Sequence, residues 1–266
     1  MLSTISSFSS LYLATLLMLI GTGLFNTYIG LRLTAESVNE IWIGALIAGY
    51  YLGLVCGARM GHKLIIRVGH IRAFVACAAI STSMILAQML VDYMPLWLVF
   101  RLVAGIVMVT QLMVIESWLN ERATNESRGM IFSFYISITL LGVVGGQMTV
   151  AFADIKVQTL FLMAGIYYCF AMLPTLVSNA QTPKPLSEVK LDLVALYRNS
   201  PVSFFGILLV GIANGAWGTL GAVFGAKAGL STGDVALMMT ITIFAGAAMQ
   251  IPAGRMSDRM DRRYVL

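Results

Sequence analysis

The sequence predicts an all-α polytopic membrane protein. Of its 266 residues, 59% are hydrophobic and only 11% are charged, against roughly 45–50% and about 25% in soluble domains. The apolar residues gather in eight runs, each long enough to cross a hydrocarbon core about 30 Å thick as a helix. Lys and Arg fall almost entirely in alternate connections between those runs. A chain this poor in charge cannot cover a water-exposed surface, which excludes a soluble enzyme, a nucleic-acid-binding domain and a disordered tail. The net charge of +5 is no nucleic-acid signal, because the basic residues sit in short clusters between apolar runs. Cys56, Cys77 and Cys169 all lie inside apolar runs, with neither a disulfide framework nor zinc-ligand spacing. They read as small packing residues.

The expected spans are 11–31, 41–60, 71–91, 95–118, 129–152, 157–177, 201–225 and 235–255. Barrel strands would be half as long and would alternate apolar with polar residues. Residues 1–10 lack the positive n-region of a signal peptide, so the first span is kept. The second carries Gly49-x-x-x-Gly53-x-x-x-Gly57, a small-residue stripe that permits close helix contact. The fourth and seventh begin at Pro95 and Pro201, where a missing N–H costs little. Pro174 stands near the end of the sixth, where a helix can stop.

Orientation follows from the basic residues. One alternate set of connections holds thirteen of them, from Arg59, Lys63, Arg67 and Arg72 to Arg255, Arg259, Arg262 and Arg263. The other set holds Arg32, Lys156 and Lys227. This asymmetry places the first set, and with it the N-terminus, in the cytoplasm. Residues 178–200 contain Pro183, Pro185 and several charges, and read as a cytoplasmic linker. The expected organisation is a six-helix unit at 1–177, the linker at 178–200 and a partial second unit at 201–266.

An internal repeat supports that division. Superposing Arg67 on Arg259 also superposes Gly23 on Gly215 and Thr27 on Thr219, at one offset of 192 residues. One unit is then six helices long. Two complete units need about 380 residues and twelve helices, so the expectation is that about 115 residues are lacking after the eighth span.

Gly254-x-x-x-Asp258-Arg259-x-x-Arg262-Arg263, between two membrane helices, resembles the loop signature of the major facilitator superfamily. Asp261 stands where that family has a second Gly, and in the first copy only Arg67, Gly69 and Arg72 match well. Arg101-Leu-Val-Ala-Gly105 resembles the family's Arg-x-x-x-Gly motif in helix four. Glu116-Ser117, Arg128-Gly129 and Gly142-Val-Val-Gly145-Gly146-Gln147 also fit. Together they look most like the small YcaD-like branch of bacterial inner-membrane transporters. The resemblance implies a major-facilitator-type fold, with a six-helix N-terminal bundle and the first two helices of a C-terminal bundle. It implies a secondary transporter in the inner (cytoplasmic) membrane that moves a small solute by alternating access. Protons are a candidate coupling partner. The loop motif would act as a conformational latch. Drug–proton antiporters of the family carry Gly-Pro in helix five; Gly145-Gly146 stands here without a proline, so drug export is not supported.

Two readings of Arg101 stay open: substrate binding or proton coupling, as the motif implies, or a structural pin between helices. Charge at that depth is costly unless it faces a partner or water. Asn26 and Gln147 lie at similar depth and are expected to share a polar cluster with it. Glu116 could carry a proton, since desolvation raises a carboxyl pKa, or could pair with Arg128. Asp258 and Arg259 could switch conformations or merely anchor the chain. Asn26, Gln111, Asn214, Trp217 and Thr219 lie on spans one, four and seven, which line the central cavity in the family. Each is expected to face the bundle interior, as a substrate contact or a helix–helix hydrogen bond. Tyr50 and Tyr51 could stack on a substrate or pack on each other. His62 and His70 are expected in a basic loop. No cofactor, metal site or nucleic-acid partner is expected, nor are the charged ring of a channel or the clustered acids of a membrane enzyme. The rival to transport is a truncated, non-transporting membrane protein.

Overall fold

A computed structural model of the chain describes residues 8–124, 128–152, 158–177 and 193–259, with side chains except at 193, 195, 196, 219 and 250–259. Among these residues the regular structure is helical: α1 (Ser9–Ala35), α2 (Glu40–Val68), α3 (His70–Leu90), α4 (Met94–Arg122), α5 (Arg128–Ala151), α6 (Thr159–Leu176), α7 (Leu193–Asn199), α8 (Pro201–Lys227) and α9 (Thr232–Arg259). Eight of them, all but α7, contain a stretch long and apolar enough to cross a membrane. The protein is a multi-pass membrane protein.

The helices run past their apolar cores at the basic-rich end of the bundle. α2 continues to Val68 and α4 to Arg122. Arg59, Lys63 and Arg67 therefore ride on the last turns of α2, where cations complement the helix dipole. Gly69 alone separates α2 from α3. Its φ of 85° and ψ of 167° lie in a region essentially reserved for glycine. This backbone requirement explains the one motif glycine retained in the first loop. The histidines depart from expectation. His62 lies within α2, and His70 opens α3, 2% exposed, with its ring edge-to-face against Trp118. Pro174 is held inside the last turn of α6. Part of the expected linker is also ordered. Residues 193–199 form α7, whose Tyr197 packs edge-on against Phe204 and Phe205 of α8.

Packing turns on glycine. Lipid tails are as apolar as Leu, so helix association in a bilayer rests on close contact rather than apolar burial. α2 and α4 are parallel and meet in a four-residue register. Gly49 faces Leu98, Gly53 faces Leu102, Gly57 faces Ile106 and Gly61 faces Thr110. A Cβ on Gly57 would stand 2.6 Å from the Ile106 carbonyl oxygen, and one on Gly105 would stand 2.9 Å from Gly53 Cα. Both are backbone clashes that no rotamer relieves. α1 and α5 interlock the same way through Gly23, Gly142 and Gly146; a Cβ on Gly23 would lie 2.9 Å from Val143 Cα. α1, the most enclosed span, also packs on α6, and α3 bridges α4 and α6.

α8 docks on α1, and α9 docks on α5 and α8. These two helices repeat the first two at backbone level. α8 starts and ends 192 residues after α1, and α9 starts 192 after α2. The intervening turn is the same turn twice. Glu36 N bonds Arg32 O, Ser37 N bonds Thr34 O and Val38 N bonds Leu33 O. Ala228, Gly229 and Leu230 donate to Phe224, Ala226 and Gly225 in the same pattern. The turn centre has positive φ in both copies, 54° at Ser37 and 84° at Gly229. Asn39 and Ser231 then cap the following helix, accepting from Ile41 N and Asp234 N respectively.

Two substitution pairs test this account by unfolding in mixed micelles. Gly53→Ala forces a Cβ into the α4 backbone and should cost about 1–3 kcal/mol. Gly44→Ala, with nothing within 4 Å of the new carbon, should cost nothing. Gly229→Ala should cost about 1 kcal/mol for an L side chain at positive φ, whereas Ser37→Gly should not destabilise.

Candidate functional site

The α2–α4 register sets the site. One turn before the Gly53–Gly105 contact, Tyr50 and Arg101 come side by side. Arg101 is 2% exposed. Its guanidinium carbon lies 4.6 Å from the Tyr50 ring centroid and 5.5 Å from that of Phe25. Nη2 donates to Asn26 Oδ1 at 3.1 Å. Asn26 and Phe25 come from the deeply buried α1, so the cation joins three helices. Tyr168 of α6 closes the group, its hydroxyl 2.7 Å from Thr22 Oγ1 and 4.0 Å from Met108 Sδ. Tyr50 stacks edge-to-face on Tyr51 at 5.6 Å, and the Tyr51 hydroxyl donates to the Gly215 carbonyl of α8 at 3.2 Å. A small cavity adjoins the guanidinium between α1 and α2. Asn26 and Arg101 line it, with Ile29, Gly30, Leu33, Ile43, Leu46 and Ile47.

The energetics are those of a charge in hydrocarbon. Arg101 stands two turns into α4; an Arg costs about 2.5–3.5 kcal/mol on insertion scales at a span centre, an upper bound on that scale for a residue nearer the end. Each ring contributes about 0.5–2 kcal/mol of cation–π attraction, and a hydrogen bond to a charged group about 1.5–3 kcal/mol. The contacts can hold the cation in place. They do not neutralise it: no described carboxylate lies within ion-pair distance of Arg101.

The other sequence candidates lie elsewhere. Gln147 is buried on α5 with Oε1 unpartnered and has no bond to Arg101, so the expected three-residue cluster forms only between Arg101 and Asn26. α5 meets α1 on its glycine face, and α4 only slightly. Gln111 is fully buried toward α3, accepting from Ser81 Oγ at 3.4 Å, with Nε2 unpartnered. Glu116 is exposed and accepts from the Tyr135 hydroxyl at 3.1 Å; no ion pair joins it to Arg128. Asn214 is exposed and Trp217 is 38% exposed. None of Pro201–Gly218 is buried. The side chain of Thr219 is not described. Arg67 and Arg72 are exposed beside Gly69. Gly254, Asp258 and Arg259 fall in the last turns of α9, where side chains are not described, and Arg262 and Arg263 lie outside the described residues. The described residues contain no group of three or more His, Cys, Asp or Glu side chains able to hold a metal.

Sequence reasoning missed Phe25, Thr22 and Tyr168. Thr22 and Asn26 are one helical turn apart, a polar pair on one face that spacing could have flagged. Tyr168 sits in an apolar run and carries no such signal. A double-mutant cycle in unfolding free energy should give about 1–2 kcal/mol of coupling between Arg101 and Asn26, as for a charged hydrogen bond. The same cycle between Arg101 and Gln147 should give none.

The family model of the Major Facilitator Superfamily matches residues 11–266. An uncharacterized MFS-type transporter of Yersinia pestis (strain Pestoides F) is 24% identical over 254 residues, covering 94% of this chain and 66% of the relative. The uncharacterized MFS-type transporter YcaD of Escherichia coli O6:K15:H31 (strain 536 / UPEC) is 26% identical over 257 residues, with the same coverage. The chain thus spans just under two thirds of the length of these curated relatives. The match runs through both copies of the repeated helix pair and through the arginine that joins α1, α2 and α4, and the chain belongs to the major facilitator superfamily.

Proposed function

We propose that this protein is a secondary transporter rather than an enzyme, moving a small solute across the cytoplasmic membrane by alternating access. In this reading, residues 1–177 form one rocking unit and 201–266 belong to the other, joined by a linker at 178–200. The positive-inside rule sets the N-terminus in the cytoplasm.

The arrangement of contacts between the two units carries the proposal. Side-chain links join the two units at mid-span and at the basic-poor end. Tyr51 reaches Gly215, Lys227 pairs with Glu40, and Thr240 Oγ1 lies 3.4 Å from Met148 Sδ. Alternating access requires contacts between the two units that form in one state and break in the other. The tie is weak enough to break. The Lys227–Glu40 pair is solvent-exposed, and water screens such pairs so that they stabilise little.

Reconstitution into liposomes tests this reading. Solute counterflow, measured by mass spectrometry on a labelled metabolite panel, should show saturable exchange of at least one solute. Cross-linking Glu40→Cys to Lys227→Cys should stop it, and reduction should restore it. Exchange of no solute by the uncross-linked protein would overturn the proposal. Proton coupling, if it runs through Glu116, gives a split result. Glu116→Gln should abolish acceleration by a proton gradient while leaving counterflow intact.

A further inference from the structure

Resting on the transporter reading, we infer that the solute carries a carboxylate, and that the Arg101 guanidinium is its counter-ion. A guanidinium has five N–H donors in a planar fork, and Arg101 uses one described hydrogen bond, to Asn26. Its neighbours are otherwise aromatic: the Tyr50 and Phe25 rings at 4.6 and 5.5 Å. Ring faces attract a cation but accept no fork. None of the six described carboxylates (Glu36, Glu40, Asp92, Glu116, Glu121 and Asp234) lies within 4.0 Å of it. A buried cation with spare donors beside a cavity is complete only when an anion arrives.

The surroundings narrow the class. Among the described residues lining the cavity Arg101 is the one cation, which suits a monoanion better than a phosphate dianion. Both oxygens of a carboxylate can accept from one guanidinium fork. The cavity is water-sized, about 10 Å³, and otherwise walled by aliphatic side chains such as Ile29, Leu46 and Ile47, so it takes the carboxylate head and leaves the body of the solute outside. The link onward is short. Tyr50 lies over the guanidinium and stacks on Tyr51, which bonds α8 through Gly215. Anything that shifts Arg101 from Tyr50 disturbs a contact between the two units.

The test is binding to the purified chain in nanodiscs, read by ligand-dependent thermal stabilisation. Acetate, butyrate and benzoate are each compared with the matching neutral amide, and with inorganic phosphate. At least one carboxylate should bind at least tenfold more tightly than its amide and more tightly than phosphate. Arg101→Gln should bring acid and amide to parity. If that variant does not fold, Arg101→Lys decides, and the acid preference should fall at least tenfold as the fork is lost. Equal binding of acid and amide, no carboxylate binding, preference for phosphate, or an acid preference unchanged in the folded Arg101 variant would each overturn the inference. Flux of an uncharged solute without carboxylate binding would overturn this site and keep the transporter. Carboxylate binding without any flux would do the reverse.

Discussion

Close backbone approach between helices is the constraint on which the rest depends. In water, an apolar face drives association; in hydrocarbon that force is absent. What remains is contact, and contact needs small residues where helices cross. Gly53, Gly57, Gly61 and Gly105 let α2 and α4 meet backbone to backbone, and Gly23 and Gly146 do so for α1 and α5. The register these glycines impose is a positional device as much as a source of stability. It sets Tyr50 against Arg101 and thereby builds the polar centre of the bundle.

The repeat shows how local chemistry can outlast sequence identity. The two helix pairs share few residues, yet their bounds and turn hydrogen bonds recur at one offset of 192 residues. The turn needs a residue at positive φ, an apolar residue after it, and then a cap. The first copy meets this with Ser37, Val38 and Asn39, and the second with Gly229, Leu230 and Ser231. At each of three positions a different residue meets the same backbone demand in the two copies. Identity is low because the demands are on conformation and capping, and several residue types meet each.

Much of this was legible in the sequence. The eight spans could be placed because hydrocarbon thickness sets one length for all of them. The glycine stripe on α2 was readable as a contact face because period four marks one side of a helix. Arg101 and Asn26 could be paired by depth, since both are polar groups that must leave the lipid. Gln147 met the same depth criterion and yet lies apart, because depth fixes position along the membrane normal and not around the helix axis. Glu116 found Tyr135 rather than Arg128 for a similar reason: a phenol seven residues along α5 lies two turns deeper, level with the carboxylate. His70 was misread because a one-residue connection leaves no loop for it. With Gly69 alone between helices, the next residue is already packed against Trp118.

The position of Arg101 ties these strands together. A cation that only pinned helices would be best served by carbonyls or a carboxylate of its own bundle, fixed in every state of the protein. Here it is held by two ring faces and one amide, contacts that keep it in place without neutralising it. One of those rings belongs to the Tyr50–Tyr51 pair that reaches α8. Differential affinity is the only means by which a ligand shifts a conformational equilibrium. An anion that completes the guanidinium in one state and not in the other supplies that difference at the place where the two units touch. The glycine register, by setting Arg101 beside Tyr50, puts the unmet charge one side chain from the contact that has to break.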